Sequence, residues 1–236
     1  MAGAAGRPRT SDAAIIEGAR RALIENPRAS MAEIARSAGV GMSAIYLRFP
    51  NRVAILRHFA DEANAVYDDV LDAVEQQMTG NADPRVVLHH FVAAIVDSGV
   101  HRLVIAIAGT FIRTDEDIAE STRLRDRGRL FIRHLHLRRA LRPGVTWEDL
   151  GKLIEALSSI RGADDQRTAA FHRRAIDVVV TGLTAGDQPL VGDPADATDF
   201  RENRPPESPT HENNDTRLRL LPTPPHTDSP DDPSPS

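Results

Sequence analysis

The sequence contains no cysteine, a single lysine (Lys152) and a single tryptophan (Trp147), and aromatic residues fill only 4% of its 236 positions. The missing thiol excludes disulfides, thiolate catalysis and cysteine-ligated zinc, and it suits a reducing compartment. With so few aromatics, the core must come mainly from Ala, Leu, Ile and Val, which a hydrophobic content of 41% can supply. Long apolar runs are missing too. "LVIAIAG", from Leu103 to Gly109, falls far short of the ~20 residues that span a bilayer. The opening "MAGAAGRPRTSD" has no apolar signal-peptide core. A cytoplasmic protein with no membrane association is expected. No Gly-rich phosphate loop, nucleophile elbow or His-Glu zinc motif occurs, and neither His89-His90 nor His134 with His136 shares a helical face. These absences point away from an enzyme, a metal site and a cofactor.

What is present is unevenly spread. The formal charge of −5 conceals a basic start, because residues 1–59 hold nine arginines against four acids. Residues 187–236 hold four basic and eleven acidic residues. An anionic partner is therefore met near the N-terminus. Eleven of the sixteen prolines lie in the last fifty residues. Such a composition cannot bury enough apolar surface to offset its ordering entropy, so residues 187–236 read as a disordered, acidic, Pro-rich tail. Its "RLRLL" (Arg217 to Leu221) is an unremarkable patch.

From about residue 11 to 186 the apolar period is helical, with no alternating strand. Proline and glycine breaks divide it into helices near Thr10–Asn26, Ser30–Ala38, Met42–Phe49, Asn51–Gln77, Pro84–Ser98, His101–Arg113, Glu116–Leu141, Thr146–Arg161 and Asp164–Ala185. The fold class is all-α. Three domains are expected: an N-terminal unit of short helices over 1–59, a bundle of longer helices over 60–186, and the tail over 187–236.

The N-terminal unit carries the most information. Ser30 and Glu33 are spaced as a capping box, each meeting the other's orphan backbone donor. Ala35 is small, Gly39 follows four residues later at a left-handed turn position, and Ile45 is aliphatic six residues beyond. That order suits a tight helix-turn-helix: a small residue at the crossing, a glycine at the turn, an apolar anchor on the second helix. Ile34, Val40, Ile45 and Phe49 then belong to the core.

With these features in place, "IARSAGVGMSAIYLRFPNRVAIL" (Ile34 to Leu56) resembles the DNA-binding signature of the tetracycline-repressor family of bacterial regulators. The resemblance covers about residues 11–60, and beyond it the closing "RRAIDVVVTGL" is family-like. Gly41 stands where Ser or Thr usually caps the recognition helix, Ser43 where Gly is common, Arg48 for a frequent His, Arg52 for the usual Lys and Val53 for the usual acid. The resemblance implies a dimeric regulator, most often a repressor, on a palindromic double-stranded operator, with a small-molecule effector in the body.

Residue chemistry assigns candidate DNA contacts. Met42, Ser43 and Ala44 open the recognition helix and are small or flexible enough to approach base edges. Tyr46 and Arg48 lie further along and reach phosphate or base. Arg52 follows the good N-cap Asn51, so a phosphate at that helix start would suit both dipole and arginine. Ser30, at the start of the preceding helix, completes the set.

In the body, Phe91, Ile95, Leu103, Ile107 and Phe111 recur at helical spacing. They are the candidate wall of a pocket for an apolar or amphipathic molecule, with plain core packing as the alternative. Leu150, Leu153, Ile154, Leu157 and Ile160 form one stripe, and Phe171, Ala175, Val178, Val179 and Leu183 another. The last helix is apolar on more than one face, which fits either a monomer core or a homodimer interface. The arginines from Arg123 to Arg139 read as a solvated surface. Two rival functions are a DNA-binding regulator without a small-molecule ligand, controlled by a protein partner or its own abundance, and a helical-bundle enzyme.

Overall fold

A computed structural model describes residues 12–200. The expected helix start at Thr10 or Ser11 and the tail beyond residue 200, with its "RLRLL" patch, lie outside the described residues. Within them are nine α-helices and no strand: α1 (Asp12–Glu25), α2 (Met31–Ala38), α3 (Met42–Arg48), α4 (Arg52–Thr79), α5 (Pro84–Ser98), α6 (Val100–Ile107), α7 (Asp115–Leu137), α8 (Trp147–Ser159) and α9 (Asp165–Thr184).

Local chemistry sets most helix starts. Ser30, Asn51, Asp83, Thr114, Thr146 and Asp164 each accept a backbone N–H in the first turn of the helix they precede. Three of these caps are reciprocal boxes, pairing Ser30 with Glu33, Thr114 with Asp117 and Thr146 with Asp149. α6 stops at Ile107, six residues before the expected Arg113, because Gly109 takes a left-handed φ of 71° and turns the chain.

The side chains form two cores. The first gathers Ile15, Ala19, Leu23, Ile34, Ile45, Phe49, Ile55 and Phe59 from α1 to α4, and Leu103 and Ile107 from α6. The second gathers the far part of α4 with α5, α7, α8 and α9 around Phe91, Ile95, Phe131, Leu135, Leu150 and Ile176. The expected boundary at residue 59 is therefore crossed twice, by the 28 residues of α4 and by α6, which packs on the N-terminal core.

Two glycines set close approaches. A Cβ at Gly18 would lie 2.2 Å from the Cα of Ala38, so α1 and α2 touch backbone to backbone. A Cβ at Gly128 would lie 2.4 Å from the Trp147 ring, which rests directly on α7. Gly18→Ala should cost about 1–3 kcal/mol, since the added methyl meets backbone that cannot swing away. Thermal unfolding of the variant checks this, and a melting point equal to wild type would mean that the two helices are not held so close.

Residues 187–200, read from composition as part of a disordered tail, are ordered against the body. Arg142 donates from Nε to the Gln188 carbonyl (2.8 Å) and from Nη2 to the Pro189 carbonyl (2.9 Å). The Ala195 N–H donates to Asp149 Oδ1 (2.8 Å), and a short 3-10 turn, Ala197–Asp199, brings Phe200 onto α8. A few hydrogen bonds and one aromatic ring anchor this stretch, which is too sparse a pattern for composition to reveal. No single described helix is long and apolar enough to cross a membrane. α5 and α6 reach that level only as a pair broken by a 63° bend.

Candidate functional site

The helix-turn-helix forms as its spacing predicts. The Glu33 N–H donates to Ser30 Oγ (3.3 Å) and the Ser30 N–H to Glu33 Oε2 (2.7 Å). The Ser30 backbone N–H, its hydroxyl and the nearby Arg36 hold the Glu33 carboxyl below its ordinary range. Gly39 closes α2 at φ 68°, and its N–H donates to the Arg36 carbonyl (3.1 Å). Gly41 starts α3 without a side-chain cap.

Only Ile45 of α3 is buried, so the helix is a reading surface pinned at one point. Met42, Ser43, Tyr46 and Arg48 are exposed and Ala44 is half-buried against the first core. Leu47 is 90% exposed, an apolar side chain with no role in the fold. Reasoning from polar and small residues alone passes over it. The signal is nevertheless in the sequence: Leu47 lies two residues from the Ile45 anchor and so on the other side of the helix. Arg28, exposed in the loop before Ser30 and without an ion pair among the described residues, is likewise absent from the set expected from sequence.

The two arginines expected at the interface differ. Arg48 lies at the surface, 3.5 Å from the exposed Asp12 carboxylate and 4.7 Å above the Phe49 ring. A pair this open is weak and exchangeable for a phosphate. Arg52 does not face outward. Its Nε donates to the Ala29 carbonyl (3.0 Å), Nη1 to the Thr110 carbonyl (3.4 Å) and Nη2 to the Pro27 carbonyl. Burial lowers its pKa from the usual guanidinium value. Arg52 does stand at the start of α4, as expected, but its side chain folds back over the loop before α2 and onto the loop after α6.

The five candidate pocket residues do not line one cavity. Phe91 and Ile95 are fully buried in the second core, and Leu103 and Ile107 belong to the first. Phe111 is half-buried against that first core. Ile107 and Phe111 border a small void of about 80 Å³. Helical spacing reports burial, and it does not say against which neighbour.

A second, partly open cavity of about 150 Å³ lies between α4, α6, α7 and α8. Val104, Ile105, Leu124, Trp147, Ile154 and Phe200 supply apolar wall. Tyr67 and His101 supply a polar corner, with the tyrosine oxygen 2.6 Å from His101 Nδ1. His101 Nε2 is buried without a hydrogen-bond partner. Burial, adjusted by Glu155 and Lys152, pushes the His101 pKa down to about 4, so the ring is neutral.

The arginines of α7 are not merely solvated. Arg123 reaches Asp68 (2.9 Å), and Arg127 reaches Asp72 (2.6 Å), Glu75 (3.0 Å) and Asp68 on α4. Arg129 holds Glu148 of α8 (2.5 Å). These three arginines join α7 to α4 and α8.

A helix-turn-helix with one pinned, outward-facing recognition helix, set on a helical body, defines a DNA-binding transcriptional regulator. Residues 15–59 match the family model of bacterial regulatory proteins, tetR family. By that match the N-terminal unit carries the DNA-binding domain of that family. Solved structures share the fold. The TetR family transcriptional regulator PfmR from Thermus thermophilus is 19% identical, with 72% of this chain and 99% of that one covered at a TM-score of 0.50. Apo AibR is 17% identical, with 72% and 97% covered at a TM-score of 0.55. No curated protein matches in sequence.

Proposed function

We propose that this regulator is a cytoplasmic, effector-responsive repressor that binds a palindromic operator as a homodimer. The observation that carries the effector claim is the double role of α6. Over two turns, Val104 and Ile105 line the 150 Å³ cavity while Leu103 and Ile107 sit in the core of the reading head. A molecule that shifts α6 from the cavity side must shift what packs on its other side. The required bias is modest, since a coupling of ~1–3 kcal/mol changes affinity about 5–150-fold.

The dimer reading is supported by α8 and α9. Leu153, Ile160, Phe171, Ala175, Val178 and Val179 line one outward apolar surface, with Val178 65% exposed. A second copy across that face would hold two recognition helices for two half-sites. Met42, Ser43, Ala44 and Tyr46 are proposed to approach bases, with Leu47 against a thymine methyl. Arg28 and Arg48 are proposed to meet phosphates, and Ser30 acts as the cap that positions α2.

Selection from random DNA followed by fluorescence anisotropy tests this. We expect a two-fold symmetric motif, two chains per duplex and specific affinity on the order of 10⁻⁸ M, weakening steeply with salt. Leu47→Ala and Tyr46→Ala should each cost about 1–3 kcal/mol on the selected site and relax its preference. Arg28→Ala should weaken all sequences alike. Variants that bind the selected site as wild type does would remove α3 from the interface.

A further inference from the structure

One residue of the cavity wall comes from none of the nine helices. Phe200 ends the segment that leaves α9 at Ala185 and turns at Gly186 (φ 90°). Three fixings hold this strap. Arg142 grips the Gln188 and Pro189 carbonyls near its start. Asp149 takes the Ala195 N–H on Oδ1 while its Oδ2 accepts the Thr146 N–H of the α8 cap (2.9 Å). The sole lysine, Lys152, places its ammonium 4.4 Å from the Phe200 ring centroid. The ring lies where Gly151 has no side chain, since a Cβ there would come within 3.0 Å of Phe200 Cζ. Phe200 thus covers α8 beside the cavity and is held by contacts that a small rearrangement can release.

The cavity specifies what could enter. Its volume of about 150 Å³ matches that of an engineered apolar cavity that takes up a benzene ring. Its walls are mostly aliphatic and aromatic. His101 Nδ1 is engaged by Tyr67, and Nε2 is a buried polar atom still in need of a partner. Either tautomer of the pair is compatible with the 2.6 Å distance, so a ligand group that both donates and accepts satisfies Nε2 in each. The charged residues at the edge, Arg125 and Glu148, are of opposite sign, and Glu148 is committed to Arg129. Arg125 likewise has an interaction of its own, so an ionic ligand would lose its hydration and compete for a charge that is already engaged.

We propose that residues 186–200 form a lid over the effector cavity, closed by Phe200, and that the cavity admits a neutral single-ring molecule bearing one hydroxyl-like group for His101. This rests on the cavity being the effector site, as argued above.

Phenol is the probe, and Trp147, the only tryptophan and part of the cavity wall, is the reporter. Stopped-flow fluorescence on the full chain should show saturable phenol binding in wild type. Binding and release should both be at least about ten-fold faster in Phe200→Ala, the factor that ~1.4 kcal/mol of strap contact would produce. Benzoate, of similar size but anionic, should leave the signal unchanged. Equal phenol rates in the two proteins overturn the lid. A missing phenol signal in both, or benzoate binding as well as phenol, overturns the ligand class. If phenol binds as expected yet operator affinity does not respond to it, the effector reading fails while the lid and the ligand class stand.

Discussion

Arg52→Ala should lower stability by about 3 kcal/mol, the upper end for hydrogen bonds made by a charged group. The guanidinium ties the carbonyls of Pro27 and Ala29, in the loop that introduces α2, to that of Thr110, just after α6. Its removal leaves all three carbonyls short of a partner at a junction where the reading head meets the body. Arg52→Lys should recover little, because one ammonium cannot reproduce the planar fork. Chemical unfolding measures the stability, and a salt titration of DNA binding separates this role from a phosphate contact. Loss of a phosphate contact would flatten the slope of log K against log salt by about 0.9. A parallel line with a lowered melting point is expected. A flattened slope with unchanged stability would restore Arg52 to the DNA interface and undo its role as a tie.

The second large effect is on acid stability. His101 has a pKa near 4 in the folded protein against 6.5 for an unperturbed histidine, because burial disfavours its charged form. Between those two pH values the unfolded chain takes up a proton that the native chain refuses. Stability is therefore full above pH 6.5 and falls as pH is lowered towards 4. The total loss is about 3 kcal/mol, since each pH unit between the two values contributes ~1.4 kcal/mol. His101→Gln removes the titrating group, so its stability should fall that much less over the same window. Urea unfolding of both proteins from neutral to acid pH supplies the comparison, and parallel curves would show that His101 titrates normally. The same burial keeps the ring neutral at cellular pH, as the proposed uncharged ligand requires.

The features legible in the sequence are those settled within one or two helical turns. Ser30 with Glu33 caps its helix through bonds between residues three apart, so spacing alone reveals it. Gly39 at the turn and Ile45 as the anchor follow from backbone sterics and helical period, and the recognition helix could be placed from them. Tertiary structure decided which charges are available and what the apolar stripes face. Arg48 and Arg52 are four residues apart, yet one lies at the surface and the other points inward, because Arg52's carbonyl partners lie 23 to 58 positions away along the chain. Arg123 and Arg127 of α7 are paired with carboxylates of α4 more than fifty positions earlier. Leu103 and Ile107 continue the helical spacing of Phe91 and Ile95 but turn into the reading head's core, while Val104 and Ile105 of the same helix line the cavity. Phe200 lies in a stretch whose composition argued for disorder, and three distant side chains hold that stretch in place. Period and capping report that a residue is buried or that a helix begins. Which neighbour satisfies a guanidinium or an aromatic ring depends on how the helices pack, which no local pattern encodes.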